Sequence, residues 1–211
     1  MRILIISLII LAVVLAIWII WSYLSVKDLE EPSYTVVSTE DWYEIRQYES
    51  YIVAEVEVSG DQRQALNSGF RYLAGYIFWG NSKQDSIKMT APVTESNTSE
   101  KISMTTPVLE TENSEQTRTV QFTMPSKYTL ETLPVPDSER VTLREVPAKK
   151  VAALRFTWFA TEQKVAAKKQ ELQKYLERDD VKISWSLTSA QYNPPLSFPF
   201  TRRNEILTEI Q

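Results

Sequence analysis

The 211-residue chain contains no cysteine and no histidine. Those two absences exclude structural zinc of the Cys/His kind, Ser-His and Cys-His catalysis, thiol redox chemistry, disulfides and histidine ligation of iron. Anchoring through a lipidated cysteine goes with them. A concentrated basic face is also missing. Net charge is −4, and the cation pairs Lys149-Lys150, Lys168-Lys169 and Arg202-Arg203 are short runs that read as solvated faces. A nucleic-acid backbone needs such a face, so no nucleic-acid partner is expected. Carboxylate pairs show no acid–base tuning. Glu55 and Glu57 share one face of a strand and Val56 and Val58 the other, the pattern of a sheet with one wet side. Without a nucleophile–base constellation, the chain reads as a binding protein and not an enzyme.

Long hydrophobic runs, by contrast, are present once. Ile3 to Leu24 carries no charge over 22 residues. As a helix rising about 1.5 Å per residue it spans about 33 Å, close to the hydrocarbon thickness of a bilayer. A cleaved signal peptide has a shorter apolar core and a small-residue cleavage site. This run instead ends in Trp18, Trp21 and Tyr23, aromatics suited to a membrane interface, and reads as an uncleaved single-pass anchor. Arg2 precedes it, while Lys27 is followed by Asp28, Glu30 and Glu31. The positive-inside bias therefore puts the N-terminus in the cytoplasm and the domain on the periplasmic or extracytoplasmic side. The expected organisation is an anchor over 1–25, a polar tether over 26–40 and one domain over 41–211.

Two internal repeats organise that domain. Ile87 to Val93 reads IKMTAPV and Ile102 to Val108 reads ISMTTPV, with TESNTSEK between them. Two short β-prone runs joined by a polar stretch suggest a hairpin, each Pro lying at a strand end, edge or bulge. At an offset of 98, Tyr43–Ser59 aligns with Val141–Thr157, bringing Arg46 onto Arg144 and Val53 onto Val151. A helix follows each copy. The first runs from about Asp61, its cap, to Trp79 with a stripe of Leu66, Phe70, Leu73 and Ile77. The second is capped by Thr161 and runs to about Arg178 with Val165, Leu172 and Leu176. The same offset carries 87–93 onto 185–191 and 102–108 onto 200–206, and Thr117–Thr123 adds a strand. The fold class expected is α+β: a pseudo-twofold duplicated antiparallel sheet or distorted β-barrel with two packed helices, preceded by the transmembrane helix. The halves cover about 41–125 and 140–211, and a groove between them lined from both helices is the natural ligand site.

The doubled heptapeptide resembles that of the SOUL heme-binding family. So do Tyr43-Glu44-Ile45-Arg46, Tyr76-Ile77-Phe78 with Gly80-Asn81, Phe122 with Met124-Pro125, Tyr192-Asn193-Pro194-Pro195 and Arg202-Arg203-Asn204-Glu205, in the family's order across about residues 40–210. The resemblance implies two similar βα halves in a distorted barrel. It also implies reversible, non-covalent binding of heme or another tetrapyrrole, and no catalysis. Some members have been proposed to ligate iron through histidine; this chain has none, so an axial ligand comes from Met, Tyr or Lys or is absent. The resemblance leaves open the mode of other members, an apolar cleft near the first helix with basic groups near the propionates. A non-catalytic protein- or lipid-interaction module of the same fold is the alternative, its protein partner unnamed.

The candidate wall of that cleft is Leu73, Tyr76, Ile77, Met89 and Met104. Met89 and Met104 hold equivalent places in the two heptapeptides; each reads either as a thioether facing a macrocycle or as adaptable core filler. Tyr72, Tyr76, Phe78 and Trp79 offer flat surfaces to a planar ligand or, as aromatics on a helix over a sheet, fill the core. Arg46 and Arg144 read as partners of carboxylates, either internal Glu or ligand propionates.

Overall fold

The computed structural model describes residues 1–83, 99–113, 117–184 and 186–211. Its elements in chain order begin with α1 (Arg2–Leu24), β1 (Tyr34–Thr39), β2 (Glu44–Tyr48), β3 (Tyr51–Ser59), α2 (Gln62–Phe78) and β4 (Asn81–Ser82). They continue with β5 (Val108–Glu112), β6 (Thr117–Thr123), β7 (Val135–Pro136), β8 (Thr142–Val146), β9 (Lys149–Phe156), α3 (Glu162–Arg178), β10 (Thr188–Gln191) and β11 (Asn204–Glu209). Nine strands form one curled antiparallel sheet in the order β1-β2-β9-β11-β10-β5-β6-β3-β8, while β4 and β7 pair separately. Read outward from the β10–β5 contact, the order is the same on both sides: β10-β11-β9-β2 and β5-β6-β3-β8. The expected pseudo-twofold runs between β5 and β10. The halves also trade a strand, since β2 pairs with β9 and β8 with β3.

Local chemistry accounts for the helices. Asp61 caps α2 by accepting from the Gln64 N–H at 2.8 Å, and the Gln64 side chain answers the Asp61 N–H, a full capping box. Thr161 caps α3 through the Lys164 N–H. Each helix covers one half-sheet. Leu73, Tyr76 and Ile77 of α2 pack on Ala54, Val56, Val120 and Phe122; Val165, Leu172 and Leu176 of α3 pack on Ala152, Leu154, Phe156 and Ile206. Gly69 lets α2 approach β6 closely, because a Cβ there would lie 2.5 Å from the Val120 Cβ. Gly69→Ala is therefore expected to destabilise the protein by about 1–3 kcal/mol through overpacking, despite a helix-propensity gain of about 1 kcal/mol. Urea denaturation of the full-length protein in detergent reads this directly.

Three details differ from the sequence reading. Residues 26–40 are not a free tether: Tyr34–Thr39 is edge strand β1, paired with β2. Glu30 accepts from the Ser126 N–H at 2.7 Å and Glu31 from Arg203 at 2.9 Å, so this segment is tied down by specific polar partners. Only the second heptapeptide falls within the described residues. Residues 102–107 form no strand, Pro107 follows a cis bond, and β5 begins only at Val108; residues 87–93 lie outside the described residues. Finally, the offset of 98 holds for the opening strands but not beyond the helices. The repeat counterparts of β10 and β11 are β5 and β6, because the connection from α2 to β5 spans 79–107 while that from α3 to β10 spans only 179–187.

Candidate functional site

Alternation along the strands leaves one face of the sheet without a helix. In β3, Ala54, Val56 and Val58 turn to α2, so Val53, Glu55 and Glu57 turn away; β6 does the same with Gln121 and Thr119, and β9 with Val151. On that face lies a cleft of about 540 Å³ that crosses the pseudo-twofold. One side is built by Tyr51, Glu55, Leu109 and Gln121, the other by Lys149, Val151, Thr188 and Leu207, with Pro32, Pro107 and Pro147 among its lining residues. At the junction of β5 and β10, the hydroxyls of Thr111 and Thr188 are 2.7 Å apart. A groove between the halves is thus present, but on the side opposite the helices, and none of its described lining residues is helical.

The cleft carries both charges. Glu55 accepts from Gln121 at 2.7 Å and from Arg144 at 3.0 Å. Burial by itself would raise the Glu55 carboxyl; hydrogen bonds from Arg144 and Gln121, with the Arg144 charge, outweigh it and hold the pKa below the usual carboxylate range. Lys149 stands 3.4 Å from Glu209. Tyr51 is pushed up to about 12, chiefly by burial, so it remains a neutral phenol at physiological pH.

Behind Tyr48, on the same face, three of the sequence motifs meet in one buried cluster. Arg46 donates to Glu205 twice, at 2.7 and 3.1 Å, and to Glu44 at 2.8 Å. Glu205, fully buried, also accepts from the Tyr192 hydroxyl at 2.8 Å and from Arg203 at 2.9 Å. Arg203 lies over the Tyr192 ring at 3.7 Å and reaches Glu31. The Glu205 carboxyl, which burial would raise, is held below its ordinary value by Arg46 first, then Arg203 and Tyr192. Of the two repeat-related arginines, then, Arg46 pairs internally and is sealed, while Arg144 pairs at the cleft and is half exposed.

The residues expected to wall a ligand site fall elsewhere. Leu73, Tyr76 and Ile77 are at most 2 % exposed, inside the core between α2 and the sheet, and the Tyr76 hydroxyl donates to the Pro134 carbonyl. Met104 packs on the same core, and Met89 lies outside the described residues. Those side chains supply the apolar surface that seats α2 on the sheet. Asn81 of the Gly80-Asn81 motif is a clamp: its side chain donates to the Tyr76 and Glu100 carbonyls and accepts from the Glu100 N–H, tying the end of α2 to the next segment. No motif in the sequence marks Tyr51, Leu109, Gln121, Thr188 or Leu207. The available signal was the alternation around Glu55, whose wet side is the side that holds the cleft.

A family model described as SOUL heme-binding protein matches residues 29–209. No curated protein matches the chain. Among solved structures, the C-terminal domain of EcmrR shares the fold with a TM-score of 0.54 and 8 % identity, over 84 % of this chain and 98 % of that one. The EcmrR chain in an EcmrR–DNA complex gives 0.56 and 10 %, over 80 % and 57 %. An uncharacterized conserved protein from Listeria innocua gives 0.52 and 13 %, over 82 % and 94 %.

Proposed function

Since the chain belongs to the SOUL heme-binding protein family, we propose that it is a membrane-anchored, non-catalytic binding protein that holds heme or another tetrapyrrole in the cleft on the open face of its sheet. The observation that carries this reading is the cleft itself. Its volume of about 540 Å³ lies within the range usual for small-molecule and cofactor sites, about 300–1,000 Å³. Leu109, Leu207, Val146 and Val151 supply apolar contact, and Tyr48 and Tyr51 supply rings. Arg144 and Lys149 are cations placed to meet propionates, each now satisfied by a carboxylate it can exchange.

The donor set argues for grip by shape and charge. Among the described lining residues there is no thioether or imidazole, and the phenol of Tyr51 keeps its proton. A bound tetrapyrrole would bring the visible absorption and any redox chemistry; the protein would supply apolar contact, orient the carboxylates and leave the iron without a strong protein ligand. The helix α1 is long and apolar enough to cross a membrane. It serves in this reading as the anchor, with the domain on the extracytoplasmic side.

Full-length protein in nanodiscs, titrated with heme, should show a saturable Soret change with affinity on the order of micromolar (about −8 kcal/mol). Thr188→Trp, which places an indole in the middle of the cleft, should abolish it. A signal that never saturates, or one that Thr188→Trp leaves untouched, overturns the assignment to the cleft.

A further inference from the structure

The domain carries an exposed aromatic surface that continues the apolar face of α1. Leu196 is 74 % exposed and Phe200 66 %, with Trp158 and Phe159 at 40 % each. The aromatic side chains are contiguous. Phe200 packs edge-on against Trp158 at 4.7 Å and in a tilted arrangement against Phe198 at 5.7 Å, and Phe198 packs edge-on against Trp18 of α1 at 5.0 Å. Trp158 adopts a left-handed backbone, φ 80°, a conformation that bulky residues rarely take. It is held there by its N–H, which donates to the Pro199 carbonyl, and by the Asn204 side-chain amide, which donates to the Trp158 carbonyl. The surface is a fixed part of the fold.

Its position along α1 says what covers it. From Ile3 to Trp18 a helix rises about 22 Å, and to Ser22 about 28 Å, whereas the hydrocarbon core is about 30 Å thick. A spanning α1 therefore carries Trp18 and Ser22 just beneath the near boundary of the hydrocarbon, and the 194–201 loop is bonded to both. Irregular backbone at that depth is tolerated only where its polar groups find protein partners, and two of those partners come from α1 itself. The Trp18 indole N–H donates to the Leu196 carbonyl at 2.8 Å, and the Phe198 N–H donates to the Ser22 hydroxyl at 2.7 Å. Arg202 donates to the carbonyls of Ser197 and Pro195 and lies over the Phe159 ring at 4.4 Å, a cation at the polar edge of the patch.

We propose that Leu196, Phe200, Trp158 and Phe159 form a membrane-docking surface that dips into the lipid interface beside α1, fixing the orientation of the domain on the bilayer. This rests on the reading of α1 as a membrane span. The domain is then not a ball on a tether but a body seated on the lipid, its apolar loop in the acyl boundary and Arg202 at the level of the phosphates.

The absence of cysteine makes the test direct. Leu196→Cys, Phe200→Cys, Leu11→Cys and Lys174→Cys each give a single spin-label site, Lys174 lying toward the far end of α3. Each full-length variant is reconstituted in vesicles of phosphatidylcholine and phosphatidylglycerol, and collisions with dissolved oxygen and with a water-soluble nickel complex are measured. Labels at 196 and 200 should lose most of their nickel collisions and keep those with oxygen, as at 11 and opposite to 174. If 196 and 200 behave like 174 while 11 is lipid-facing, the anchor stands and the docking surface is refuted. Shielding of 196 and 200 from both reagents means that protein covers them, which also refutes it. A water-exposed label at 11 removes the anchor and the docking surface together.

Discussion

Glu205→Ala is expected to destabilise the domain by about 3–5 kcal/mol, the usual result of stripping one partner from a buried ion pair. Glu205 is fully buried and accepts from Arg46, Arg203 and Tyr192 at once. Removing it leaves Arg46, itself 3 % exposed, with only the partly exposed Glu44 as counter-charge. Against a total stability of about 5–15 kcal/mol for a domain, that is a large fraction. Arg46→Leu combined with Glu205→Leu should recover much of the loss, because the apolar pair leaves no charge stranded. Urea denaturation of the three proteins in detergent checks both statements, and equal stability of Glu205→Ala and wild type would refute the first. The pH dependence has a definite sign. The folded pKa of Glu205 is depressed, so its contribution is present above the unfolded carboxylate value of about 4.3. It is lost as pH falls through the lower folded value. Glu55 acts in the same direction, and replacing either residue should flatten the acid limb of the stability curve.

Leu73→Ala is the second large effect, about 2–5 kcal/mol, since the side chain is fully buried against the sheet and its removal leaves a cavity. The informative comparison is with Thr188→Trp. Leu73→Ala should lower the denaturation midpoint while the folded fraction binds heme as before; Thr188→Trp should lose heme with little change in midpoint. The opposite pattern would move the ligand from the open face to the helix side.

Most of the architecture could be read from the chain before any coordinates. Period-two alternation around Glu55 and the apolar stripes of Leu73–Ile77 and Leu172–Leu176 are local signals, and the duplication at an offset of 98 carried them to a two-half sheet with one helix per half. The limits of that reading are physical as well. A stripe of apolar side chains looks the same whether it faces a ligand or a sheet, so Leu73, Tyr76 and Ile77 were equally legible as wall and as core. The strand exchange that pairs β2 with β9 leaves no mark in the spacing of either strand. The different connection lengths, 79–107 and 179–187, shifted the later strands out of the simple repeat. Arg46 and Glu205 are far apart in sequence, and each alone is an unremarkable charged residue.

By itself the sequence determined that histidine and cysteine chemistry are closed to this protein, that one apolar segment is long enough for a bilayer, and that the rest is a duplicated α+β domain of the SOUL family. Composition and periodicity suffice for those conclusions because they depend on residue types and near neighbours. Only the tertiary structure decided which sheet face stays open, which of the two related arginines is buried, and that an aromatic loop seats itself against α1. Those outcomes depend on which distant segments meet, and burial, pairing and exposure exist only once they have met.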